Sequence, residues 1–220
     1  MKRESHLESA PGTSPGTVRP GGRTAKVRTA VLRATEEALA TEGFHALNMD
    51  RIAGDAGVGK TTVYRRWGSP TGLVADLLRD MAERSVPASD TGSLEEDLRA
   101  NAGLVTGTLT DPRMGPVFRA VIAAAACDEE CATALRGFYE TRLGTWAAAV
   151  SRAVDRGEAP PGTDPVEVVR AVSAPLYYRF AVSHEPLTAA DGERAAAAAL
   201  AATRAGVFAP RRPAPGTPGA

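Results

Sequence analysis

Apolar residues recur along the chain at steps of three and four, with no sustained alternation of apolar and polar positions, and that spacing predicts helices throughout. Val27, Val31, Ala34, Ala38 and Leu39 form one stripe over about Thr24 to Glu42, and Gly43 stops it. A short second helix follows Asn48, a good N-cap, through MDRIAGDAG, with Met49, Ile52 and Ala53 inward. Val58-Gly59 turns the chain. KTTVYRRW makes a third short helix whose Val63 and Trp67, four apart, face inward. Gly68 ends it, and Ser69-Pro70 opens a fourth helix, TGLVADLLRDMAERS.

The pattern breaks from Pro87 to Gly92, which places a domain boundary there. Ser93-Leu94-Glu95-Glu96 has the form of a capping box and starts a helix with Leu94, Leu98, Val105 and Leu109 in step. Asp111-Pro112 starts another, through VFRAVIAAAAC. A longer helix covers about Asp128 to Asp155, its acidic start favoured by the helix dipole, and Gly157 ends it. Asp164-Pro165 opens VEVVRAVSAPLYYRFAVS, with a kink or interruption expected at Pro175. The last helix is the alanine-rich stretch from about Leu187 to Phe208. The fold class is therefore all-α, with about nine helices and no sheet. Residues 1–22 and 210–220, rich in Pro, Gly, Ser and Thr, are expected to be a disordered basic arm and a disordered tail.

Charge and chemistry narrow the function. The whole chain balances 26 Lys+Arg against 26 Asp+Glu, but residues 1–70 carry a net excess of four basic residues and the remainder an equal acidic excess. A basic front and an acidic rear suggest that the front meets a polyanion. No apolar run is long enough to span a bilayer, and the first residues lack the apolar core of a secretory signal, so a cytoplasmic protein without membrane contact is expected. Cys127 and Cys131 make no disulfide framework and, with no nearby His, are too few for a zinc site; they read as small buried residues. His6, His45 and His184 are scattered and suggest no catalytic set. No enzyme chemistry, metal or cofactor is implied.

One stretch argues otherwise. Residues 54–61, GDAGVGKT, match the phosphate-cradling loop G-x-x-x-x-G-K-[ST] letter for letter. That loop needs a buried strand before its first Gly and a long helix after its Lys. Here the preceding LNMDRIA scans as an amphipathic helix, and the following helix ends two turns on at Gly68. A nucleotide hydrolase using Gly54 to Thr61 stands as the alternative from a different class. The first reading is two short helices joined by a tight turn and packed on a longer one, a helix-turn-helix unit. Small Ala53 and Gly57 let the helices approach, and Lys60, Thr61, Thr62, Tyr64 and Arg65 are left outward. Hydroxyls and cations on a short rod suit a DNA major groove.

The segment GFHALNMDRIAGDAGVGKTTVYRRWGSPTGLVADLL resembles the DNA-binding domain of the TetR family of transcriptional repressors. The resemblance is carried by Gly43, Phe44, Ile52, Ala53, Ala56, Gly57, Val58, Tyr64, Trp67, Ser69, Leu73 and Leu77 and covers roughly residues 24–80. DPRMGPVFRAVIAAAACDEECATALRGFY and APLYYRFAVSHEPL resemble a regulatory domain of the same family. The resemblance implies a helix-turn-helix DNA-binding domain over residues 23–86 and a helical effector-binding and dimerisation domain over 93–209. Tyr64 and Thr62 would meet phosphates, Lys60 a phosphate or a base, and Thr61 and Arg65 would face the groove floor or its walls. Asn48 would cap the second helix and approach a phosphate. Pro70 stands where the family often has Lys, Gly59 where it has Ser, and Trp67 where it has Phe. The basic residues Arg19, Arg23, Lys26 and Arg28 would add contacts to the adjacent minor groove or backbone.

For the rear domain the resemblance implies a homodimer through the last two large helices and a pocket for a small-molecule effector. Phe118, Phe138, Trp146, Tyr177 and Tyr178 are the aromatic candidates to line it. The function expected is a ligand-responsive repressor that binds palindromic double-stranded DNA as a dimer and is released by its effector. A DNA-binding dimer with no effector remains the second alternative.

Overall fold

The computed structural model describes residues 21–84 and 88–210. The expected arm up to residue 20, including Arg19, and the tail from residue 211 lie outside these, as does the side chain of Arg23. Nine α-helices account for most of the described residues: α1 (Gly21–Glu42), α2 (Met49–Asp55), α3 (Lys60–Trp67), α4 (Pro70–Glu83), α5 (Leu94–Thr110), α6 (Met114–Ala125), α7 (Glu129–Asp155), α8 (Pro165–Tyr178) and α9 (Ala189–Arg204). A 3₁₀ turn, Phe44–Ala46, links α1 to α2, and there is no strand among the described residues.

Short polar side chains start most of these helices, as the first-turn amides require. The Asn48 carboxamide oxygen accepts from the backbone N–H groups of Asp50 and Arg51 at 2.9 and 3.1 Å. Ser69 caps α4 through the Gly72 N–H at 3.0 Å, with Pro70 at the first helical position. Asp111 takes the N–H groups of Arg113 and Met114, and Asp128 that of Cys131. The expected capping box at Ser93 is only half formed. Its hydroxyl accepts from the Glu96 N–H at 3.4 Å, while its own N–H donates to Thr91. The reciprocal box closes instead at Thr188 and Asp191, ahead of α9.

The expected break at Pro175 falls elsewhere. The α-helical course continues through Pro175, which is exposed, and the distortion comes after it as a π-helical turn over Arg179–Ser183. The wider turn ends at His184 in the left-handed region, φ 53°.

Two hydrophobic cores hold the molecule. One joins α1–α4 to α6, the start of α7 and the end of α8, with Val31, Leu39, Ile52, Val63, Leu73, Leu77, Val121, Phe138 and Leu176 buried. The other packs α5, the end of α7, α8 and α9 around Leu94, Leu98, Trp146, Val150, Val168, Val172 and Leu200. Helix α7 belongs to both: Cys131 and Phe138 serve the first, Trp146 and Val150 the second. The alanines of α9 allow a close approach to α5, and at Gly192 a Cβ would lie 2.8 Å from the Thr106 hydroxyl. Cys131 is buried, and burial pushes its thiol pKa up to about 11, so it stays protonated. Cys127 is exposed, contrary to the expectation, because it sits beyond the end of α6, in the turn before α7.

Candidate nucleic-acid interface and interior cavity

The turn between α2 and α3 is made by the backbone. Gly57 has φ +64°, in the left-handed region where a side chain is strained, and the Val58 N–H closes on the Ala53 carbonyl at 2.9 Å. A Cβ at Gly57 would meet nothing, so this glycine serves the conformation and not, as expected from size, a close helix approach. The close packing falls to Ala53, which is fully buried.

Two residues fix α3 to the framework. Val63 is fully buried, and Trp67 inserts its ring and donates Nε1–H to Asp76 Oδ2 at 2.9 Å. Asp76 also receives Arg28 from α1 through Nε and Nη2 at 3.1 and 3.0 Å, and Arg28 Nη1 reaches Asp80 at 2.7 Å. One carboxylate thus ties α1, α3 and α4 together. Burial pushes the Asp76 pKa up, but the hydrogen bonds from Arg28 and Trp67 outweigh it and hold the carboxyl below its ordinary value. Arg28, expected among the DNA-contacting residues of the arm, is therefore committed inside the protein. Gly72 completes the joint: a Cβ there would lie 2.0 Å from the Trp67 carbonyl oxygen.

The remaining face of α3 points to solvent. Lys60, Thr61, Tyr64, Arg65 and Arg66 are exposed, Tyr64 to 48%, and Thr62 is partly covered. No side chain caps the N-terminus of α3, where Gly59 stands. Lys60 Nζ lies 2.7 Å from Asp50 Oδ2 on α2. Their hydrogen bond raises the lysine pKa and lowers that of Asp50, to which Tyr64 also contributes. Arg66 reaches back, its guanidinium 4.9 Å above the Trp67 ring and 3.3 Å from the Thr24 carbonyl. Arg51 on α2 is engaged by Glu42 and Asp55. Arg65 forms no ion pair among the described residues and extends freely from the helix. Asp50 and Arg66 escape the sequence reading; the i, i+10 charge pair across a helix-turn-helix was the available sign for the first.

The same geometry rules out the phosphate loop. Gly54 lies inside α2, the turn that follows is a helix C-cap, and the Lys60 ammonium is bound to a carboxylate. No strand precedes Gly54, so no cradle of amides is formed.

A second concave feature lies inside the rear helices. A partly open cavity of about 70 Å³ lies between α5, α6, α7 and α8. Phe118, Phe138, Trp146 and Tyr177 line it as expected, and with them stand Asn101, Tyr139 and Arg142. Tyr178 does not: it is 58% exposed, one helical step (about 100°) round α8 from Tyr177. The rings form a chain of edge-on and tilted contacts, Phe118–Phe138 at 5.5 Å, Phe138–Tyr139 at 5.3 Å and Tyr139–Tyr177 at 5.4 Å between centroids. Asn101 Oδ1 and Trp146 Nε1 are buried there without a protein hydrogen-bond partner, and the Tyr139 hydroxyl faces that of Tyr177. Burial raises the pKa of both phenols and lowers that of the Arg142 guanidinium, which the Tyr177 hydroxyl partly offsets.

A solvent-facing rod of hydroxyls and cations, locked by Val63 and Trp67 over a glycine turn, defines a helix-turn-helix DNA-binding regulator. Residues 31–77 match the model of bacterial regulatory proteins of the tetR family, and residues 88–199 that of the tetracyclin repressor-like C-terminal domain. The chain belongs to the TetR family of transcriptional regulators and is not an enzyme. It is 32% identical over 155 residues to the DNA-binding transcriptional repressor TetR of Mycobacteroides abscessus, covering 69% of this chain and 80% of the relative. It is 28% identical over 155 residues to the uncharacterized regulator YdeS of Bacillus subtilis, covering 70% and 78%. The crystal structure of the TetR family regulator SCO0332 superposes with a TM-score of 0.66 at 30% identity, covering 80% of this chain and 97% of that one.

Proposed function

We propose that this regulator is a ligand-responsive repressor that binds palindromic operator DNA as a homodimer and leaves it when a small molecule enters the rear cavity. Residues 23–86 act as the DNA-binding domain and residues 93–209 as the effector-binding and dimerisation domain. The observation that carries this reading is the outward face of α3. Lys60, Thr62 and Tyr64 meet phosphates, and Thr61 and Arg65 approach base edges. The uncapped start of α3 offers its first amides to a phosphate, and Asn48, its oxygen spent on the cap, turns its amide N–H groups toward the backbone of the duplex.

Helices α8 and α9 support the homodimer. Each leaves apolar side chains exposed: Ala174, Pro175, Tyr178 and Val182 on α8 and its extension, and Ala190, Ala197, Ala198 and Ala201 on α9. A second copy covering these residues gives Tyr178 a buried role. Two α3 helices then reach successive major grooves about one duplex turn apart. The absence, among the described residues, of a helix long and apolar enough to cross a membrane suits a regulator of cytoplasmic DNA.

Capture of genomic fragments by the full chain at low salt, followed by footprinting, tests the reading. A protected inverted repeat supports it. Indifference to every duplex, with Lys60→Ala and Tyr64→Phe indistinguishable from the parent, overturns it. Size-exclusion chromatography with light scattering tests the dimer, and a thermal-shift screen of small molecules tests the effector, since a ligand held by the native state raises its stability by mass action.

A further inference from the structure

We infer that the effector is an uncharged single-ring phenol, seated in the α5–α8 cavity with its hydroxyl donating to Asn101 Oδ1 and accepting from the Trp146 indole N–H. The inference rests on the cavity being the effector site and adds the chemistry of what enters it.

Two polar atoms of the wall carry it. Asn101 is 3% exposed and Trp146 4%, and both line the cavity. Neither the Asn101 carboxamide oxygen nor Trp146 Nε1 has a hydrogen-bond partner in the protein. Polar groups buried this far and left unpaired are costly, and a fold retains few of them. The other polar side chains of the lining are answered from within. Thr108 donates to the Leu104 carbonyl at 2.8 Å, and Ser173 to the Val169 carbonyl at 3.3 Å. The Tyr139 hydroxyl is engaged with that of Tyr177, and Arg142 has a partner of its own. The unmet set is therefore one acceptor and one donor, with no charge to balance.

A hydroxyl is the smallest group that answers both, since it donates one hydrogen bond and accepts others. A carboxylate or a phenolate only accepts: it would serve Trp146 and set a second electron-rich oxygen against Asn101 Oδ1. The two residues share one end of the cavity. Trp146 belongs to the core of α5, α7, α8 and α9, and Asn101 adjoins Ala102 of that core. Phe118 and Phe138 belong to the other core, with Tyr139 and Tyr177 packed against it. At that end the four rings form a continuous chain of edges and faces, suited to a flat ring inserted among them. A polar end beside an aromatic end matches a ring that carries its hydroxyl directly.

Volume sets the ring count. The cavity of about 70 Å³ is smaller than the roughly 150 Å³ known to hold benzene, and far from the roughly 300–1,000 Å³ of sites for drug-sized ligands. Turning one or two rings admits a single ring, whereas a fused multi-ring molecule demands separation of the helices.

The test uses the full chain and direct binding, so no operator is needed. Titration calorimetry and thermal shift compare phenol with four probes. Toluene has a methyl in place of the hydroxyl, anisole accepts but cannot donate, cyclohexanol lacks the flat ring, and benzoate is charged. Phenol should bind more tightly than toluene by about tenfold or more, and than anisole by about fivefold or more. Asn101→Leu should abolish the preference over anisole. Trp146→Phe, which keeps an aromatic ring and deletes the N–H, should reduce the preference over toluene. Toluene should bind both variants at least as well as the parent, which shows the cavity intact; where Asn101→Leu crowds it and toluene is lost, Asn101→Ala takes its place. Toluene binding as well as phenol overturns the role of the hydroxyl. Benzoate or cyclohexanol preferred over phenol overturns the uncharged aromatic class, and both outcomes leave the cavity as an effector site. A phenol preference that survives both variants overturns the assigned residues. If no probe binds at millimolar concentration, the inference fails, and the thermal-shift screen above decides separately whether the cavity takes any effector.

Discussion

The joint under the recognition helix and the cavity behind it treat buried polar atoms in opposite ways. At the joint, Asp76 receives Trp67 and Arg28, Asp80 receives Arg28 again, and Asn48 and Ser69 serve the amides of their helices. In the cavity, Asn101 and Trp146 keep polar atoms unanswered. Unmet hydrogen-bonding groups in a low-dielectric interior are costly, and a stable fold keeps few of them. The contrast separates a part whose polar groups are answered by folding from a part whose polar groups are not. The DNA-reading rod is held in place before it meets DNA, while the rear cavity keeps buried polar atoms that the proposed effector would meet.

The largest test of the joint is Gly72→Ala. With the new Cβ 2.0 Å from a backbone oxygen, α4 and the end of α3 must separate, at a cost of more than about 3 kcal/mol in chemical denaturation. A loss under about 1 kcal/mol would show that the joint is soft and break the contrast. Asp76→Ala should cost less, about 2 kcal/mol, because the Arg28 and Trp67 donors lose their acceptor at a partly solvated site. A pH series adds a sign. The folded pKa of Asp76 lies below its unfolded value of about 3.9. Its contribution is therefore fully present above the unfolded pKa and is lost as pH falls through the folded one. Asp76→Asn should flatten the decline of stability below about pH 4, a difference read from denaturation curves at successive pH values.

The cavity responds in the other direction. Asn101→Leu replaces a buried unmatched carbonyl by an apolar group of similar size and should stabilise the protein by about 1 kcal/mol, visible as a higher melting temperature. Destabilisation would mean that Asn101 is already satisfied in solution and that the two regions differ less than the structure shows. On the DNA face effects are smaller and opposed. Lys60→Ala should weaken binding by about tenfold at low salt and reduce the salt slope by about one. Asp50→Ala, which releases the Lys60 ammonium and removes a negative charge, should tighten it a few-fold in the same electrophoretic or fluorescence titration.

The parts legible in the sequence are those governed by local chemistry. Caps at Asn48, Ser69, Asp128 and Asp164 follow from the needs of the next few amides, and Val63 and Trp67 follow from helical spacing. The outward side chains of α3 follow from the same spacing, resemblance to the TetR family supplies their roles on DNA, and the helical neighbours of Gly54 exclude the phosphate loop. What stayed hidden depends on partners far away in the chain. Arg28 looked like a free cation of the arm because Asp76 is 48 residues distant. Tyr177 and Tyr178 are adjacent letters, and only the packing of α8 decides which one faces inward. Tyr139 and Arg142 share the stripe of Phe138 and Trp146 at three- and four-residue steps, but a polar residue there reads as surface until the opposing helices are known. The π-helical turn after Pro175 has no local signature at all.

Of the eight residues of α3, only Val63 and Trp67 are buried. Apart from Arg66, which reaches Trp67 and Thr24, and Lys60, which pairs with Asp50, the outer positions of this reading head can therefore drift without disturbing the scaffold that carries it. New operator preferences are open to this protein through changes that leave its folding untouched, and a swapped outer face grafted between Gly59 and Gly68 makes a portable cassette for redirecting it to other promoters.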